Sequence, residues 1–350
     1  MTAQKVMKYP STSQLRQVVR TVKECLTFDG VDTDGNIKRK TPESWVVPYV
    51  GTVKIHGTNG SIVFHSEDEI VYQSKERILA IGEDNQGFMA RMMHIDHTRL
   101  LDQVKYICET NKIPFAYPVE VAGEWAGRGI QKGVAVTDVD PFFTIFRVAV
   151  GKDESGLNWL SPMLLLGLTM ADEDRVFNAL DFGFWIADLD FSEPEGFTNY
   201  LVDITDNVEA ECPVGKKFGV SGVGEGVVWT PQNPSLAKNS GLWFKVKGEK
   251  HSVSKVKTLA AVDPEHLNSI REFVDYAVTE NRLRQGVEEV CKETGFDLAL
   301  IGDFLGWVSR DIIKEEGDVL AHNNLVMKDV GKYISNKARA WYLEQLNKGF

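Results

Sequence analysis

Cysteine is scarce in this chain, and long apolar runs are absent. Four cysteines lie far apart among 350 residues, so neither a disulfide framework nor a paired-cysteine metal site is expected. The histidines form no H-x-x-x-H pattern that would hold a structural metal. No segment reaches the roughly 20 apolar residues of a membrane helix, and residues 1–17 are polar. We therefore expect a soluble cytoplasmic protein with free thiols and no membrane association.

Positive charge is also in short supply. Acidic residues outnumber basic ones 50 to 39, which gives a net charge of -11. This balance argues against attraction of nucleic acid over the whole surface, although a local patch is compatible with it. One stretch near His251 is rich in lysine: Lys245, Lys247, Lys250, Lys255 and Lys257. It predicts either a solvated strand end or a surface that follows a nucleic-acid backbone.

The order of apolar segments divides the chain into two parts. Before residue 258, short apolar runs separated by turns predict a mostly antiparallel sheet, and residues 1–257 therefore form an α+β domain. The predicted strands are Trp45–Ile55, Ser61–Phe64, Ile70–Ser74, Ala116–Gly123, Phe142–Val150 and Gly226–Thr230. The predicted helices in this part are Ser13–Cys25, Phe88–Glu109 and Ala171–Leu180.

The last part of the chain has helical periodicity. Asp263-Pro264 is a typical helix start, and the apolar residues that follow recur at helical spacing. Residues 258–350 therefore form a small all-helical domain, joined to the first by a hinge at Thr258 to Val262. Three glycines are expected to interrupt its helices: Gly295, Gly306 and Gly317.

A lysine stands at the end of the first long strand, in the sequence V-K-I-H-G-T-N-G. Lys54 has two interpretations: a surface residue at a strand edge, or a covalent nucleophile. A nucleophile needs the pKa of its amine lowered from about 10.4 by burial or by positive neighbours. Gly57 permits close approach of the backbone to a phosphate, and His56 and Asn59 supply polar groups.

Charged or aromatic residues mark the ends of other strands in the same way. Each segment alone is compatible with an ordinary turn or an amphipathic edge strand, and the last one alternates so that Trp243, Lys245 and Lys247 share one face. The segments are Ser74-Lys75-Glu76-Arg77, Gly123-Glu124-Trp125-Ala126-Gly127, Gly224-Glu225-Gly226-Val227-Val228 and Leu242-Trp243-Phe244-Lys245-Val246-Lys247.

Taken in order, these segments resemble the nucleotidyltransferase motifs of the covalent ligase and capping-enzyme superfamily. The chain is most similar to the bacteriophage-type RNA ligase 2 family, notably at G-E-W-A-G-R-G-I-Q-K (123–132) and T-E-N-R-L (279–283). The resemblance implies an ATP-grasp-like nucleotidyltransferase domain followed by a helical domain. It also implies an ATP-dependent RNA ligase that seals nicks in duplex RNA or RNA/DNA hybrids.

The resemblance implies three successive phosphoryl transfers. A lysine attacks the α-phosphate of ATP and becomes lysyl-AMP, the AMP passes to a 5′-phosphate end, and a 3′-hydroxyl displaces it. Lys54 would be the nucleophile, and His56 would act on the pyrophosphate. Lys245 and Lys247 would neutralise the α-phosphate and lower the pKa of Lys54. Glu225 would face Mg²⁺ or Mn²⁺, since such cations prefer hard oxygen ligands.

The same resemblance implies the contacts that hold the nucleotide. Arg77 and Glu124 would hold ribose and phosphate, with Lys75 as the alternative to Arg77, and Phe146 would stack on adenine. Further contacts would come from the backbone or side chains of Val53, Ile55 and Asn59.

The chain departs from the family pattern after Phe146. The family has an acidic residue there and this chain has Arg147, so Asp138 or Asp140 is the candidate for that acidic role. In the helical domain, the candidates for contact with a duplex are Arg282, Lys332 and Arg339.

Two other functions are compatible with these motifs. One is an ATP-dependent DNA or mixed-substrate ligase, and the other is an inactive nucleic-acid binding module. The helical C-terminal part favours an RNA ligase, because the related DNA ligases and capping enzymes usually append a β-barrel. The intact set of charged motif residues argues against an inactive module. The expected partner is RNA with 5′-phosphate and 3′-hydroxyl ends, the expected state is a monomer, and a phage-encoded protein would act in the host cytoplasm.

Overall fold

A computed structural model describes residues 6–33, 35–153, 156–248, 250–251, 270–291, 296–323 and 325–348. The chain divides into two compact units, Met1–Gly248 and Glu249–Phe350. The predicted boundary at residue 257, the hinge at Thr258 to Val262 and the helix start at Asp263-Pro264 lie outside the described residues.

Strands dominate the described part of the first unit. They are β1 (Phe28–Val31), β2 (Ile37–Arg39), β3 (Val46–Lys54), β4 (Thr58–Phe64), β5 (Ile70–Ser74), β6 (Val119–Ala126), β7 (Phe142–Asp153), β8 (Gly156–Trp159), β9 (Val176–Asn178), β10 (Phe184–Asp190), β11 (Gly226–Pro231) and β12 (Phe244–Lys247). The strands β1 and β2 form a hairpin, one sheet has the order β10-β3-β11-β12, and another has the order β5-β4-β6-β7-β8. Strand β9 runs parallel to β7, whereas the other described pairings are antiparallel.

Helices surround these sheets and form the second unit. In the first unit they are α1 (Leu15–Thr27), α2 (Phe88–Met92), α3 (His97–Thr110), α4 (Pro194–Ala210), α5 (Pro213–Lys217) and α6 (Pro234–Ala237). In the second unit they are α7 (Ile270–Ala277), α8 (Glu280–Val290), α9 (Ile301–His322) and α10 (Met327–Lys348). The described structure is thus a mixed α/β unit with mainly antiparallel sheets, and a separate helical unit.

The predicted strands are present, with ends displaced by a few residues, but two helix predictions are wrong. The predicted helix Phe88–Glu109 is broken in two, because Asp96 caps α3 by accepting a hydrogen bond from the backbone N–H of Arg99 at 2.9 Å. The predicted helix Ala171–Leu180 contains strand β9 and short turns instead. Arg175 has φ of 52° at the start of that strand, a left-handed conformation that ends helical geometry.

The inner strands of the two larger sheets of the first unit, such as β4, β6, β7 and β11, are buried on both faces over most of their length. In the sheet containing β4 and β6, Ile62, Phe64 and Val121 pack against residues of α3 such as Leu100. In the other sheet, aromatic rings supply the packing, and the ring of Trp229 stacks on that of Phe244 at 6.3 Å. Side chains alternate along a strand, so on β12 the partly buried Lys245 and Lys247 alternate with the buried Phe244 and Val246.

The second unit has its own core of buried apolar residues, among them Phe273, Phe304, Ile312, Ile334 and Tyr342. The prediction that Gly306 and Gly317 interrupt helices is wrong, because both lie inside α9. A glycine within a helix costs about 1 kcal/mol relative to alanine. Burial of apolar residues along the same helix offsets that cost.

Arg282 is a structural residue of this core and not a contact for nucleic acid, so that prediction is wrong. Its side chain is fully buried. Its guanidinium donates from Nε to Asp311 at 2.8 Å and from Nη2 to Glu316 at 3.0 Å, and also donates to the carbonyl of Ala277. Lys332 and Arg339, the other two candidates, are exposed on α10.

We expect Arg282→Met to destabilise the helical unit by about 3–5 kcal/mol, because it leaves the buried carboxylate of Glu316 and the partly buried carboxylate of Asp311 without their cation. The matched control is Arg284→Met, which removes an exposed pair with Glu280 at 2.7 Å and should cost about 0.5 kcal/mol or less. Urea unfolding of the full chain, followed by far-ultraviolet circular dichroism, measures both. Equal losses in the two variants would contradict a structural role for the buried pair.

Candidate active site

The position of Lys54 is fixed by the tight turn that follows β3. A Cβ atom at Gly57 would lie 2.2 Å from the carbonyl oxygen of Trp125, so only glycine fits there. The backbone N–H of Gly57 donates to Glu124 Oε1 at 3.2 Å, and its carbonyl accepts from Gln131 at 3.2 Å. The turn is therefore held against the end of β6, and it brings Lys54 and Glu124 into one region.

The sheet register brings a carboxylate to the same place. Gly226 pairs with Lys54 on one side and with Lys247 on the other. It has φ of +148°, and a Cβ atom there would lie 2.1 Å from the carbonyl oxygen of Val246. Glycine at this position lets the neighbouring strands approach closely, and Glu225 enters the sheet beside both lysines.

Glu225 is the centre of a compact cluster of charges. Its Oε2 lies 2.7 Å from Lys54 Nζ and 3.2 Å from His56 Nδ1, while its Oε1 lies 3.0 Å from Lys247 Nζ. The Glu225 side chain is only 4% exposed, so these partners replace water around the carboxylate. The structure thus joins Lys54 and His56 to Glu225 and Lys247, which lie far from them in the sequence and which the motifs had also marked.

The pKa of Lys54 is shifted in the direction opposite to the predicted one. Burial acts to lower the pKa of this amine, but the carboxylates of Glu225 and Glu124 outweigh burial and raise the pKa above its ordinary value. The prediction that Lys245 and Lys247 give Lys54 a lowered pKa is therefore wrong for the site in this state. The physical reason is that the Glu225 carboxylate lies only 2.7 Å from Lys54 Nζ, and the attraction between opposite charges grows as the distance between them falls.

The neighbouring groups also titrate away from their ordinary ranges. Burial favours the neutral acid of Glu225, yet Lys54 and Lys247 hold the pKa of Glu225 well below its usual value. Burial lowers the pKa of Lys247, with Glu225 opposing this effect and the ammonium groups of Lys54 and Lys245 adding to it. Burial raises the pKa of Glu124 to about 7. The site therefore holds one permanent carboxylate and one carboxyl group that titrates near neutrality.

The other motif residues near Lys54 occupy defined positions in the two sheets. Asn59 pairs with Glu124 across β4 and β6, and its side chain donates to the carbonyl of Gly123 at 3.3 Å. Lys245 lies two residues before Lys247 on β12 and is partly buried, as expected for the same strand face. Two further predicted contacts are buried apolar residues flanking Lys54: Val53 and Ile55.

Phe146 lies in a group of aromatic rings. Its ring centroid is 5.0 Å from that of Tyr9, and the Tyr9 ring is 5.2 Å from Trp159 and 5.8 Å from Trp243. Sequence reasoning missed Tyr9, which stands in a polar N-terminal stretch where no periodicity marks it. A lone aromatic residue in a polar segment was the only available signal.

Arg147 connects the two large sheets, and neither candidate acid accompanies it. It is 3% exposed, its guanidinium donates to the hydroxyl of Thr230 on β11, and it lies 4.7 Å from the centroid of the Trp243 ring. Burial lowers the pKa of Arg147. Both Asp138 and Asp140 are exposed. Arg147 therefore links β7 of one large sheet to β11 of the other.

The two candidates for the phosphate-holding cation are engaged elsewhere. Arg77 is exposed and donates to the backbone carbonyls of Glu83 and Asp84, the latter at 2.9 Å. Its donors therefore stabilise its own loop. Lys75 Nζ lies 3.4 Å from the hydroxyl of Ser11. Of the C-terminal lysine cluster, Lys255 and Lys257 lie outside the described residues.

The donor set at Glu225 is compatible with a divalent cation bound together with a nucleotide. Within the described ranges, no group of three or more histidine, cysteine or acidic residues has the geometry of a metal site. Mg²⁺ is commonly held by one or two carboxylates and by substrate phosphates, and it keeps several waters. Glu225 supplies one hard oxygen ligand of this kind, and Glu124 is a second carboxyl group close to it.

A comparison with protein families shows the family of this chain. The family model described as RNA ligase matches residues 47–247, which is more than half of the chain and contains the motif segments from Lys54 to Lys247. The chain belongs to the RNA ligase family.

Structures of an RNA ligase from Naegleria gruberi are among the solved structures that are similar to this chain. A lysine mutant of the Naegleria gruberi RNA ligase with ATP and Mn is 13% identical over 70% of this chain, with a TM-score of 0.40. The same enzyme with PPi is 16% identical over 70% of this chain, with a TM-score of 0.39. The alignments cover 57% and 58% of those chains. In the described part of our chain, no helix has the length and apolar character to cross a membrane.

Proposed function

We propose that this protein is an ATP-dependent RNA ligase that works through a lysyl-AMP intermediate and is related to the bacteriophage-type RNA ligase 2 group. One observation supports this most strongly: Lys54, Lys247 and His56 converge on the buried carboxylate of Glu225. An ordinary edge-strand lysine has no such surroundings. A nucleotidyl-transferring lysine needs cations for the phosphate and a carboxylate beside it.

In the first proposed step, Lys54 Nζ attacks the α-phosphorus of ATP. The P–N bond forms, the bond between the α-phosphorus and the pyrophosphate oxygen breaks, pyrophosphate leaves, and the amine releases its proton to water. Lys247 and Lys245 lie on the strand next to Glu225 and would stabilise the charge that develops on the phosphate oxygens. His56 would donate a hydrogen bond to the departing pyrophosphate.

The raised pKa of Lys54 gives Glu225 a part in activating this amine. While Glu225 contacts Lys54, the amine keeps its proton and is not nucleophilic. A ligand that engages Glu225 removes the largest opposing effect, and burial then favours the neutral amine. Mg²⁺ or Mn²⁺ held by Glu225 would supply neutralisation of the phosphate charge.

The remaining motif residues would position the nucleotide. Phe146 would stack on adenine, Glu124 would accept a ribose hydroxyl, and Asn59 would bind beside it. The backbone of Val53 and Ile55 would contact the same nucleotide. Arg77 would have to leave the carbonyls of its loop to reach a phosphate.

In the later steps, the AMP passes from Lys54 to a 5′-phosphate and is then displaced by a 3′-hydroxyl. RNA held in a duplex, or in an RNA/DNA hybrid, is the proposed acceptor, and the helical unit would support its binding as part of a monomer. Membership of the RNA ligase family favours RNA over DNA, and the intact charge cluster favours an enzyme over an inactive binding module.

The test is to incubate the protein with ATP labelled at the α-phosphate and Mg²⁺, and then to add nicked duplexes. We expect a covalent label that is stable to alkali and cleaved by acid, as a P–N bond requires, that moves to the 5′-phosphate end and is released as AMP on sealing. A matched set of nicks with ribose or deoxyribose on each side reports the acceptor preference. Absence of covalent label at any divalent-ion concentration would overturn the proposal, and sealing of all-DNA nicks at an equal rate would favour a mixed-substrate ligase.

A further inference from the structure

A second concave site lies in the first unit, outside the cluster around Glu225. It is a cavity of about 590 Å³, within the range of volumes that hold small ligands or a nucleotide. Separate segments build its wall: the N-terminal segment, the residues just outside β4 and β6, the β7–β8 hairpin and the loop before β12. The lining residues are Val6, Met7, Lys8, Pro10, His65, Pro118, Lys152, Gly156, Leu157, Trp159, Lys238 and Ser240.

The wall of this cavity is positively charged. Three lysines and a histidine line it, and none of the described lining residues is acidic, although the whole chain has a net charge of -11. Lys152 and Lys238 are exposed, and neither forms an ion pair with any described residue. Lys8 contacts Glu76 at 3.2 Å at the rim. Lys152 and Lys238, which have no such partner among the described residues, make the cavity attractive to a polyanion.

The floor of the cavity is apolar and aromatic. Trp159 is buried, with its ring 5.8 Å from that of Trp243, and Leu157 and Met7 complete the apolar surface. A cationic rim over such a floor matches a nucleotide unit, whose phosphate is charged and whose sugar and base have apolar faces. A bare inorganic anion would use the rim alone.

The N-terminal wall is held in place at both ends. The backbone N–H of Met7 donates to the side chain of Gln73 at 3.0 Å. At the other end, Ser13 donates to the carbonyl of Trp243 at 2.9 Å, and its own carbonyl accepts from Lys245 at 3.1 Å. Tyr9 packs between Phe146 and Trp159. The cavity is therefore preorganised by contacts with both large sheets.

The strands set the separation between the cavity and Lys54. Asn59 of β4 lies at the active site and His65, the residue after β4, lines the cavity, and six residues of extended chain span about 20 Å. That is more than twice the screening length of about 8 Å at physiological salt, so the cavity lysines have little effect on the charge of Lys54. A nucleic-acid strand covers about 20 Å in roughly six nucleotides.

We propose that this cavity binds the sugar-phosphate backbone of the RNA substrate about six nucleotides from the reacting end. Lys152 and Lys238 contact phosphates, and the floor formed by Leu157 and Trp159 receives a sugar or base. The inference rests on the proposed function, because it assigns the cavity to the RNA that the ligase would seal. Lys152 and Lys238 take no part in the formation of lysyl-AMP.

The experiment uses the full chain and the double variant Lys152→Gln/Lys238→Gln. The matched control is Lys38→Gln/Lys112→Gln, two exposed lysines that do not line the cavity. Fluorescence anisotropy measures binding of nicked RNA duplexes whose arms are 4 or 12 nucleotides long, over a range of salt concentrations. Labelling with α-labelled ATP is measured on the same preparations.

We expect the cavity variant to bind the 12-nucleotide arms about tenfold more weakly, with a salt slope that is smaller by about 1.5. Binding of the 4-nucleotide arms and covalent labelling should stay at the wild-type level. Unchanged binding of the long arms, an equal loss in the control, or an equal loss for short arms would each overturn the proposal. If free AMP competes with the 12-nucleotide arms for binding to wild type but not to the cavity variant, the cavity is a mononucleotide site. That result would also overturn the proposal. Failure of wild type to label would reject the proposed catalytic function, whereas the binding comparison would still report on the cavity.

Discussion

Lys54→Arg is expected to abolish covalent labelling by α-labelled ATP, a fall of at least about a thousandfold, while the protein stays folded. The arginine guanidinium keeps the positive charge beside Glu225, which lies 2.7 Å from Lys54 Nζ. Its pKa is too high to release a proton at any working pH, so it cannot attack phosphorus. The measurements are the moles of label bound per mole of protein, determined after gel electrophoresis, and the midpoint temperature of thermal unfolding.

Two further variants separate chemistry from structure in this experiment. Lys54→Ala should also lose the label, but with a lower thermal midpoint, because Glu225 loses a partner in a buried site. Lys216→Arg makes the same exchange in an exposed ion pair, with Glu211 at 2.8 Å, and should label like wild type. Label that persists in Lys54→Arg would place the nucleophile elsewhere.

Glu225→Gln is expected to lower both the stability of the first unit and the pKa of Lys54. The substitution leaves Lys54, Lys247 and His56 without the carboxylate that they share, a loss of about 3–5 kcal/mol at neutral pH. With Glu225 gone, burial acts on Lys54 with only Glu124 opposing it, so the pKa of the amine falls. Urea unfolding gives the stability, and ¹³C-methyl labelling of lysine followed by NMR titration gives the pKa.

The sign of the pH dependence follows from the direction of the Glu225 shift. Its pKa is well below the ordinary value of 4.5 in the folded protein. The carboxylate therefore stabilises the fold above pH 4.5, and this contribution is lost as the pH falls through the folded pKa. The difference between wild type and Glu225→Gln should thus shrink on acidification below pH 4.5.

A surface ion pair provides the control for the glutamate substitution. Glu211→Gln removes an exposed partner of Lys216, and it should change stability by less than about 1 kcal/mol. If Glu225→Gln behaves like Glu211→Gln, or if the pKa of Lys54 rises in Glu225→Gln, the assigned role of Glu225 is wrong.

The sequence predicted strands well where apolar residues were bounded by turns, as in Ile70–Ser74, whose observed bounds are the same. It failed where tertiary contacts compete with local preference. Gly306 lies inside a helix because packing of that helix outweighs the cost of a single glycine. Ala171–Leu180 is not a helix because Val176 pairs with Phe143 of β7.

The sequence indicated the candidate site residues Lys54, Glu124, Glu225 and Lys247 through its resemblance to a ligase family, since each segment alone is compatible with an ordinary turn or edge strand. The sequence did not predict the electrostatic relation between these residues. The sequence suggested that cations surround Lys54, but sheet pairing through Gly226 sets Glu225 beside both lysines and reverses the direction of the Lys54 pKa shift. Arg282 was marked as a surface contact, and packing of the helices buried it with Asp311 and Glu316.

The amino-acid order by itself therefore determined which chemical groups the protein has, the α+β and helical character of its two parts, and the motifs of the RNA ligase family. Only the tertiary structure decided which groups touch, which are buried, and where the cavity with Lys152 and Lys238 lies. The physical reason is that pKa shifts and ion pairing depend on distance and solvent exposure, and long-range strand pairing fixes both.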